Sequence, residues 1–349
     1  MKLRVGLIGL GDAWQQRHAS ALRALGDRFE VRCVFDQVAH RAEQIAGEFH
    51  ALPIEGFRAL SRREDVDVVM VLDSHWYGAL PLLAACEAGK AVYWASGVDI
   101  NMQEAELIKR RVEASGVAFM AEFPRRHAPA TIRLKELIAT RLGRPQIVFC
   151  HQRSPALHGN NHLPTKGDRQ AQIRELLELV DWCCYVVDRS PSWVTGLVHS
   201  RDRKGGPDED YQMMTLDFSS PEPPGMGPVA QISCGRYIPA RWHEAISYRP
   251  LAGMQVSCEN GIAFVDLPST LIWFDDAGRH QESLESERPV GEQLLTQFHR
   301  AVTSLLRRTN DLEDAYRALR IVQQARHSHE EGRRIELWPV APDDVGPRD

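Results

Sequence analysis

An apolar run, Leu3–Ile8, leads directly into Gly9-Leu10-Gly11-Asp12-Ala13-Trp14. Two glycines spaced this way at a strand end let backbone approach a pyrophosphate at the N-terminus of the following helix. There, free N–H groups and the helix dipole favour an anion. The next strand-like run, Val31–Phe35, closes on Asp36, 25 residues past Gly11. A carboxylate at that point accepts a hydrogen bond from a ribose 2′-hydroxyl and repels a 2′-phosphate, which favours NAD over NADP. Gly9, Gly11, Asp12 and Asp36 are therefore candidate cofactor residues. The glycine pattern is incomplete, because its third small residue falls on Trp14. A glycine there normally allows close helix–strand packing, so Trp14 requires a splayed helix or a different loop path.

The elements that must position these residues read as strands and helices in alternation. Strand-like runs at Leu3–Ile8, Val31–Phe35, Val66–Leu72, Ala91–Trp94 and Val117–Met120 are separated by helical spacings at Ala13–Leu25, Arg41–Phe49, Leu80–Ala88 and Met102–Ser115. Near-continuous apolar strands separated by helices predict a parallel sheet covered on both faces. Beyond residue 121 the pattern changes. Helical stretches at Pro129–Ala139 and Gln172–Val187 are followed by strand-like segments with no helix between them: Ser192–Val198, Tyr211–Phe218, Val229–Tyr237, Met254–Glu259, Ile262–Asp266 and Thr270–Phe274. That predicts a mostly antiparallel sheet. The charged stretch Ser200–Asp210 and the proline-rich Ser219–Pro228 read as loops, and Glu292–Arg307 and Leu312–Glu330 as helices. The expected organisation is an α/β chain with a Rossmann domain over 1–121, an α+β substrate and oligomerisation domain over 122–337 whose last helices can pack back on the first, and a tail over 338–349.

Composition excludes several classes. The chain has 349 residues, with 42 Lys+Arg against 47 Asp+Glu and a net charge of −5. A sequence-blind nucleic-acid binder needs net positive charge, so no nucleic-acid partner is expected. Hydrophobic content of 43% and charged content of 26% are ordinary for a globular protein. No apolar stretch approaches a membrane span, and the N-terminus has no signal-peptide pattern. Seven cysteines without CxxC spacing read as reduced thiols in a cytoplasmic protein. His151, His158 and His162 lie in a glycine- and proline-bearing stretch with no completing ligand, so no metal is expected. Neither a GxSxG elbow nor a Walker loop is present.

Several segments together resemble the glucose–fructose oxidoreductase / inositol dehydrogenase / MocA family. They are VGLIGLGDAWQQRHASALRAL with His18, DVDVVMVL…LPLLAACEAGKAVYW, GVAFMAEFPRRHAPATIRLKELI with Arg125 and Arg126, and DLEDAYRALRIVQQARHSHEEGRRIEL. The resemblance covers almost the whole chain. It implies a Rossmann domain and a C-terminal domain with a large open sheet, a substrate pocket between them, and oligomers formed through the sheet face. It also implies NAD(P)-dependent oxidation or reduction of sugars, polyols and similar small molecules.

The departures from that family are specific. Its Glu-Lys-Pro motif falls on Ala95, Ser96 and Gly97, and its Thr-Pro followed by His falls in the stretch Asp73-Ser74-His75-Trp76-Tyr77-Gly78. Its acid–His–Asp helix pattern falls on Glu178, Trp182 and Tyr185. Oxidising an alcohol needs a base for the hydroxyl proton, and a positioned base is worth roughly 10²–10⁴ in rate. Asp181, Tyr185 and His75 are the candidate replacements, since their segments face the cofactor in the family. Asp181 beside Trp182 gains basicity if buried. By the same matching, Asp73 and Ser96 join the cofactor set, while Arg125, His162, Lys166 and Trp182 form the substrate set. Trp76, Trp94 and Trp182 fall near the expected nicotinamide and either stack on a ligand or fill a core. The expected function is an NAD(H)-dependent oxidoreductase of a carbohydrate-like small molecule with a non-standard active site. The alternative is a catalytically deficient homologue acting as a ligand-binding or assembly subunit. A homodimer or homotetramer without membrane association is expected in either case.

Overall fold

Alternation along each strand of the N-terminal half sends side chains into two separate cores, one on either face of a single sheet. In β4 (Val68–Val71), Val68 and Met70 enter one core while Val69 and Val71 enter the other. A computed structural model of the chain describes residues 1–74, 77–95, 102–156, 166–203, 206–219, 226–239, 241, 242, 244, 245, 253–304 and 311–338. The chain divides into two compact units, Met1–Pro129 with Ser286–Arg317, and Ala130–Glu285 with Ala318–Asp349.

The first unit contains β1 (Leu3–Ile8), β2 (Phe29–Phe35), β3 (Leu52–Pro53), β4, β5 (Ala91–Trp94) and β6 (Phe119–Ala121) in the order β3-β2-β1-β4-β5-β6. Every neighbouring pair is parallel. Helices α1 (Ala19–Ala24), α2 (Ala39–Phe49), α3 (Phe57–Ser61), α4 (Leu80–Glu87) and α5 (Met102–Ser115) connect the strands. Leu294, Leu295 and Phe298 of α8 (Val290–Thr303) complete the core that holds α1 and α2. This is the doubly wound arrangement predicted from the alternation.

Trp14 is accommodated by a change of helix type. Residues Trp14–His18 form a π-helical turn in which the Ala19 N–H donates to the Trp14 carbonyl, ahead of α1. The additional residue in that turn turns the indole into the core, where it meets the Phe49 ring edge-on at 5.6 Å. The helix start is therefore wound more widely, and Trp14 is only 4% exposed.

The second unit contains α6 (Pro129–Leu137), β7 (Pro145–Pro155), α7 (Lys166–Val187), β8 (Trp193–Arg203), β9 (Gly206–Asp217), β10 (Val229–Ile238), β11 (Met254–Cys258), β12 (Gly261–Asp266), β13 (Thr270–Asp275), β14 (Gly278–Ser283) and β15 (Ile335–Glu336). Pro129 itself is counted with the first unit. The strand order is β14-β13-β12-β11-β7-β10-β9-β8-β15. All neighbours are antiparallel except β7 and β10. Helix α7 covers one face through β7 and β10. The opposite face leaves Ile147, Leu197 and Phe274 exposed. The last long helix, α9 (Asp311–Glu331), begins among the residues of the first unit and ends among those of the second.

The expected loop at Ser200–Asp210 is corrected by this structure. β8 continues to Arg203 and β9 starts at Gly206, with cross-strand pairs from Ser200↔Glu209 to Arg203↔Gly206. Three of the charges that suggested solvent, Arg201, Glu209 and Asp210, are paired instead. Arg201 Nε lies 2.5 Å from Asp210 Oδ2, and Arg326 grips Glu209 through contacts of 2.8 and 2.6 Å. All seven cysteines are free and buried. Burial pushes the Cys33 thiol up to about 12 and that of Cys86 to about 11, so neither is a thiolate at neutral pH. Among the described residues, no helix is long and apolar enough to cross a membrane.

Candidate cofactor site

β1 ends where the strand order reverses, between β1 and β4, and that is where an open α/β sheet leaves a crevice for a ligand. Gly9 sits there with φ +76°. A Cβ on Gly9 would lie 2.0 Å from the Asp73 carbonyl oxygen, and a Cβ on Gly11 2.7 Å from Asp73 Oδ2. Gly9 is thus demanded by the close approach of the chain leaving β4 and by its left-handed backbone, whereas at Gly11 a Cβ would press on the Asp73 side chain. A cleft of about 190 Å³ opens beside this turn, walled by Gly9, Asp36, Arg41, Asp73, Ser74 and Tyr77 among others. This is below the ~300–1,000 Å³ of a whole small-ligand pocket, and suits one end of a dinucleotide.

Asp36 is 9% exposed and is fixed by two backbone donors. Its Oδ2 accepts from the Leu10 N–H at 2.8 Å and its Oδ1 from the Val38 N–H at 2.8 Å. Each carboxylate oxygen keeps a second lone pair, so the group can still accept a ribose hydroxyl. Arg41, on α2, reaches back with Nη1 3.4 Å from the Leu10 carbonyl. The glycine cradle and the anchored carboxylate fit a dinucleotide bound by its adenosine end. Asp73 adds a second carboxylate beside the turn, which suits hydroxyl donors better than phosphate.

A second cluster lies at the exit of β6. The Glu122 N–H donates to the Trp94 carbonyl at 2.9 Å. Its carboxylate is 2% exposed, with Oε1 2.5 Å from Arg17 Nη2 and Oε2 2.8 Å from His18 Nε2. The Tyr93 hydroxyl also donates to Oε2 at 3.0 Å. Burial by itself would raise this carboxyl, but His18 and then Arg17 overcome it and hold it down at about 2. The carboxylate is therefore ionised, and His18 Nε2 must carry the proton it donates. Nearby, burial and then the charge of Arg126 hold the His127 imidazole down at about 4 against the upward pull of Glu122.

Of the cofactor residues expected from sequence, Gly9, Asp36 and Asp73 line one cleft, and Gly11 is packed against Asp73. Asp12 is exposed at the helix start and is not part of the cleft wall. Ser96, His75 and His162 lie outside the described residues, as does Trp76; Lys166 begins α7, and its side chain is not described. Arg125 is half-buried in a 3₁₀ turn, Pro124–His127, while its neighbour Arg126 bonds Asp314 at 2.7 Å. Asp181, Trp182 and Tyr185 share α7. Asp181 is 3% exposed, and Tyr185 is half-buried with Lys135 Nζ 5.2 Å from its ring centre. Trp182 is fully buried, with its indole N–H donating to Thr131 Oγ1 at 2.9 Å. As placed, it packs the core of the second unit instead of presenting a face to a ligand. Trp94 is likewise a core residue, edge-on to Phe119 at 6.2 Å.

Sequence reading missed Arg41, Tyr77 and Glu122. Arg41 had a signal, five residues past Asp36 on the following helix. Glu122 had one too, as a single acid within the small and apolar run Phe119-Met120-Ala121-Glu122-Phe123.

Comparison with known proteins agrees with this geometry. Residues 3–123 match the family model described as "Oxidoreductase family, NAD-binding Rossmann fold". Inositol 2-dehydrogenase 3 of Saccharopolyspora erythraea is 30% identical over 164 residues, which is 46% of this chain and 48% of that protein. The chain spans about half the length of the curated relatives it matches. Levoglucosan dehydrogenase in complex with NADH and levoglucosan superposes with a TM-score of 0.79 at 16% identity, covering 97% of this chain and 100% of that one. Aldose–aldose oxidoreductase from Caulobacter crescentus, complexed with glycerol, gives 0.78 at 14% identity, covering 96% and 100%. At these identities the structural likenesses carry the fold alone. Over residues 3–123 the chain is thus similar to the NAD-binding Rossmann domain of that oxidoreductase family, and over about half its length to inositol dehydrogenases.

Proposed function

We propose that this chain is an NAD(H)-dependent oxidoreductase of a sugar, polyol or related small molecule, with a non-standard active site. The observation that carries the reading is the open cleft beside Gly9 with Asp36 anchored in its wall, while Trp14 and Trp94 are both turned into cores away from it. The glycine turn binds and orients the dinucleotide backbone, and Asp36 accepts a ribose hydroxyl. The dinucleotide, when bound, supplies two-electron redox chemistry. The chain must then take the proton from the substrate hydroxyl, a role for which Asp181 and Tyr185 of α7 and His75 are the candidates. Arg125, His162 and Lys166 are the polar contacts proposed for the substrate. The matched inositol dehydrogenases and the levoglucosan complex support a carbohydrate-like substrate. The exposed Ile147, Leu197 and Phe274 of the open sheet face support a homodimer or homotetramer, read by light scattering.

A second reading, a ligand-binding homologue without turnover, is favoured by Trp182. It occupies the position of the family histidine and is committed to Thr131. Thermal unfolding with NAD⁺, NADH and NADPH tests the cofactor step. Ligand at about 100 times Kd adds roughly 2.7 kcal/mol, which raises the midpoint by roughly 5–11 °C. A rise with NAD(H) and none with NADPH supports the reading and leads to a sugar and polyol panel. Bound NAD(H) with no turnover across that panel favours the second reading. No rise with any nucleotide refutes the first.

A further inference from the structure

The register of β5 and β6 sets two positions side by side. Tyr93 and Met120 are cross-strand partners, and both point into the core that holds the first helix. Side chains two residues apart on a strand share a face. Continuing each strand by two residues puts Ala95 and Glu122 on that same face, next to each other, where the Glu122 N–H bonds the Trp94 carbonyl. Ala95 does pack against that core, and the Glu122 carboxylate meets Tyr93 and His18 on the same side. Position 95 is where the Glu-Lys-Pro motif would bring its acid. Here it is alanine, and the acid stands one strand over.

We propose that Glu122 is the displaced motif acid and acts as a positioning residue for the dinucleotide turn. The two residues it holds, Arg17 and His18, are the last two of the π-helical turn that begins at Trp14. A π turn is less favourable than the α-helix it replaces and persists only where tertiary contacts hold it. Glu122 supplies such a contact from the end of β6. Released, the turn relaxes toward α-helix, drops its additional residue, and swings Trp14 back toward the Gly9–Gly11 turn. The carboxylate thereby keeps the cofactor turn open in a chain whose third glycine position is tryptophan. This rests on the dinucleotide reading above.

The test is NADH titration, followed by nucleotide fluorescence, of the whole chain and four variants. Wild type is expected to bind. Glu122→Ala is expected to raise Kd at least tenfold. Glu122→Gln falls between, since it still accepts from His18 and Tyr93 but no longer neutralises Arg17. The double variant Ala95→Glu/Glu122→Ala, with the acid back on β5, is expected to recover most of the lost affinity. Rescue by relocation is a readout that a merely stabilising side chain does not give. If Glu122→Ala does not melt cooperatively, Glu122→Gln and Arg17→Gln carry the test. Wild-type Kd in both of those overturns the proposal, as does a folded double variant that binds no better than Glu122→Ala. Failure of the wild type to bind NADH overturns the cofactor reading, and this proposal falls with it.

Discussion

Protonating or neutralising Glu122 should cost the first unit a calculable share of its stability. The carboxyl is held at about 2 against an ordinary value of 4.5. At about 1.36 kcal/mol per pKa unit, the folded state gains about 3 kcal/mol from keeping it ionised. Its side chain is 2% exposed, so solvent screens this little. The folded-state pKa is depressed, so this stability is fully present above about pH 5. It is lost as pH falls from about 4.5 toward 2, with about 2 kcal/mol gone by pH 3. Glu122→Gln carries no proton to exchange in that window and removes the carboxylate that Arg17 and the fully buried His18 meet. Urea denaturation followed by tryptophan fluorescence, at pH 7, 5, 4 and 3, measures both chains. Wild type should exceed Glu122→Gln by about 3 kcal/mol at pH 7, and the gap should narrow to about 1 kcal/mol at pH 3. Parallel curves, with the same gap at every pH, would refute the reasoning, because the carboxylate would then be titrating in the folded protein as it does in the unfolded chain.

Gly9→Ala puts a Cβ 2.0 Å from the Asp73 carbonyl oxygen at φ +76°, so the turn must move. It should abolish the NADH-induced rise in unfolding temperature and lower the ligand-free midpoint by several degrees. Asp36→Ala strips the Leu10 and Val38 N–H groups of their acceptor, at about 1.5–3 kcal/mol for each bond to a charged group. Calorimetry should show both a lower midpoint without ligand and weaker NAD⁺ binding. His127 has its pKa depressed to about 4, so the folded state binds fewer protons than the unfolded chain below pH 6.5 and stability falls as pH drops from about 6.5 toward 4. His127→Phe should flatten that limb of the stability–pH curve. Trp182→Ala empties a fully buried site and frees Thr131, for a loss of about 3–5 kcal/mol in urea unfolding; a loss under 1 kcal/mol would contradict its core placement.

Much of the cleft beside Gly9 was legible because its signals are local. A strand, a two-glycine turn and an acid at the next strand end lie within 36 residues, and each has its own backbone or hydrogen-bonding reason. Gly9 and Asp36 then meet in one cleft because parallel neighbours β1 and β2 end together. The α7 residues were harder to read. Helical spacing places Asp181 and Tyr185 near one another along the helix but does not say which of them is covered. The charged run Ser200–Asp210 misled for a related reason. Glu209 pairs with Arg326, 117 residues further along the chain, so its charge looked unpaired.

Sequence by itself determined the strand–helix alternation, the doubly wound first unit, the antiparallel character of the second sheet and the two-glycine turn. All of these follow from periodicity and backbone conformation within short windows. Tertiary structure alone decided where Trp14 goes, because the choice between an α and a π turn depends on the core waiting for the indole. It decided that Trp182 is a packing residue, because Thr131 stands opposite its indole N–H, 51 residues away. It also decided that Glu122 meets His18 across 104 residues of sequence. That pairing exists only because β5 and β6 run side by side beneath the first helix, and no spacing within a strand or a helix encodes it.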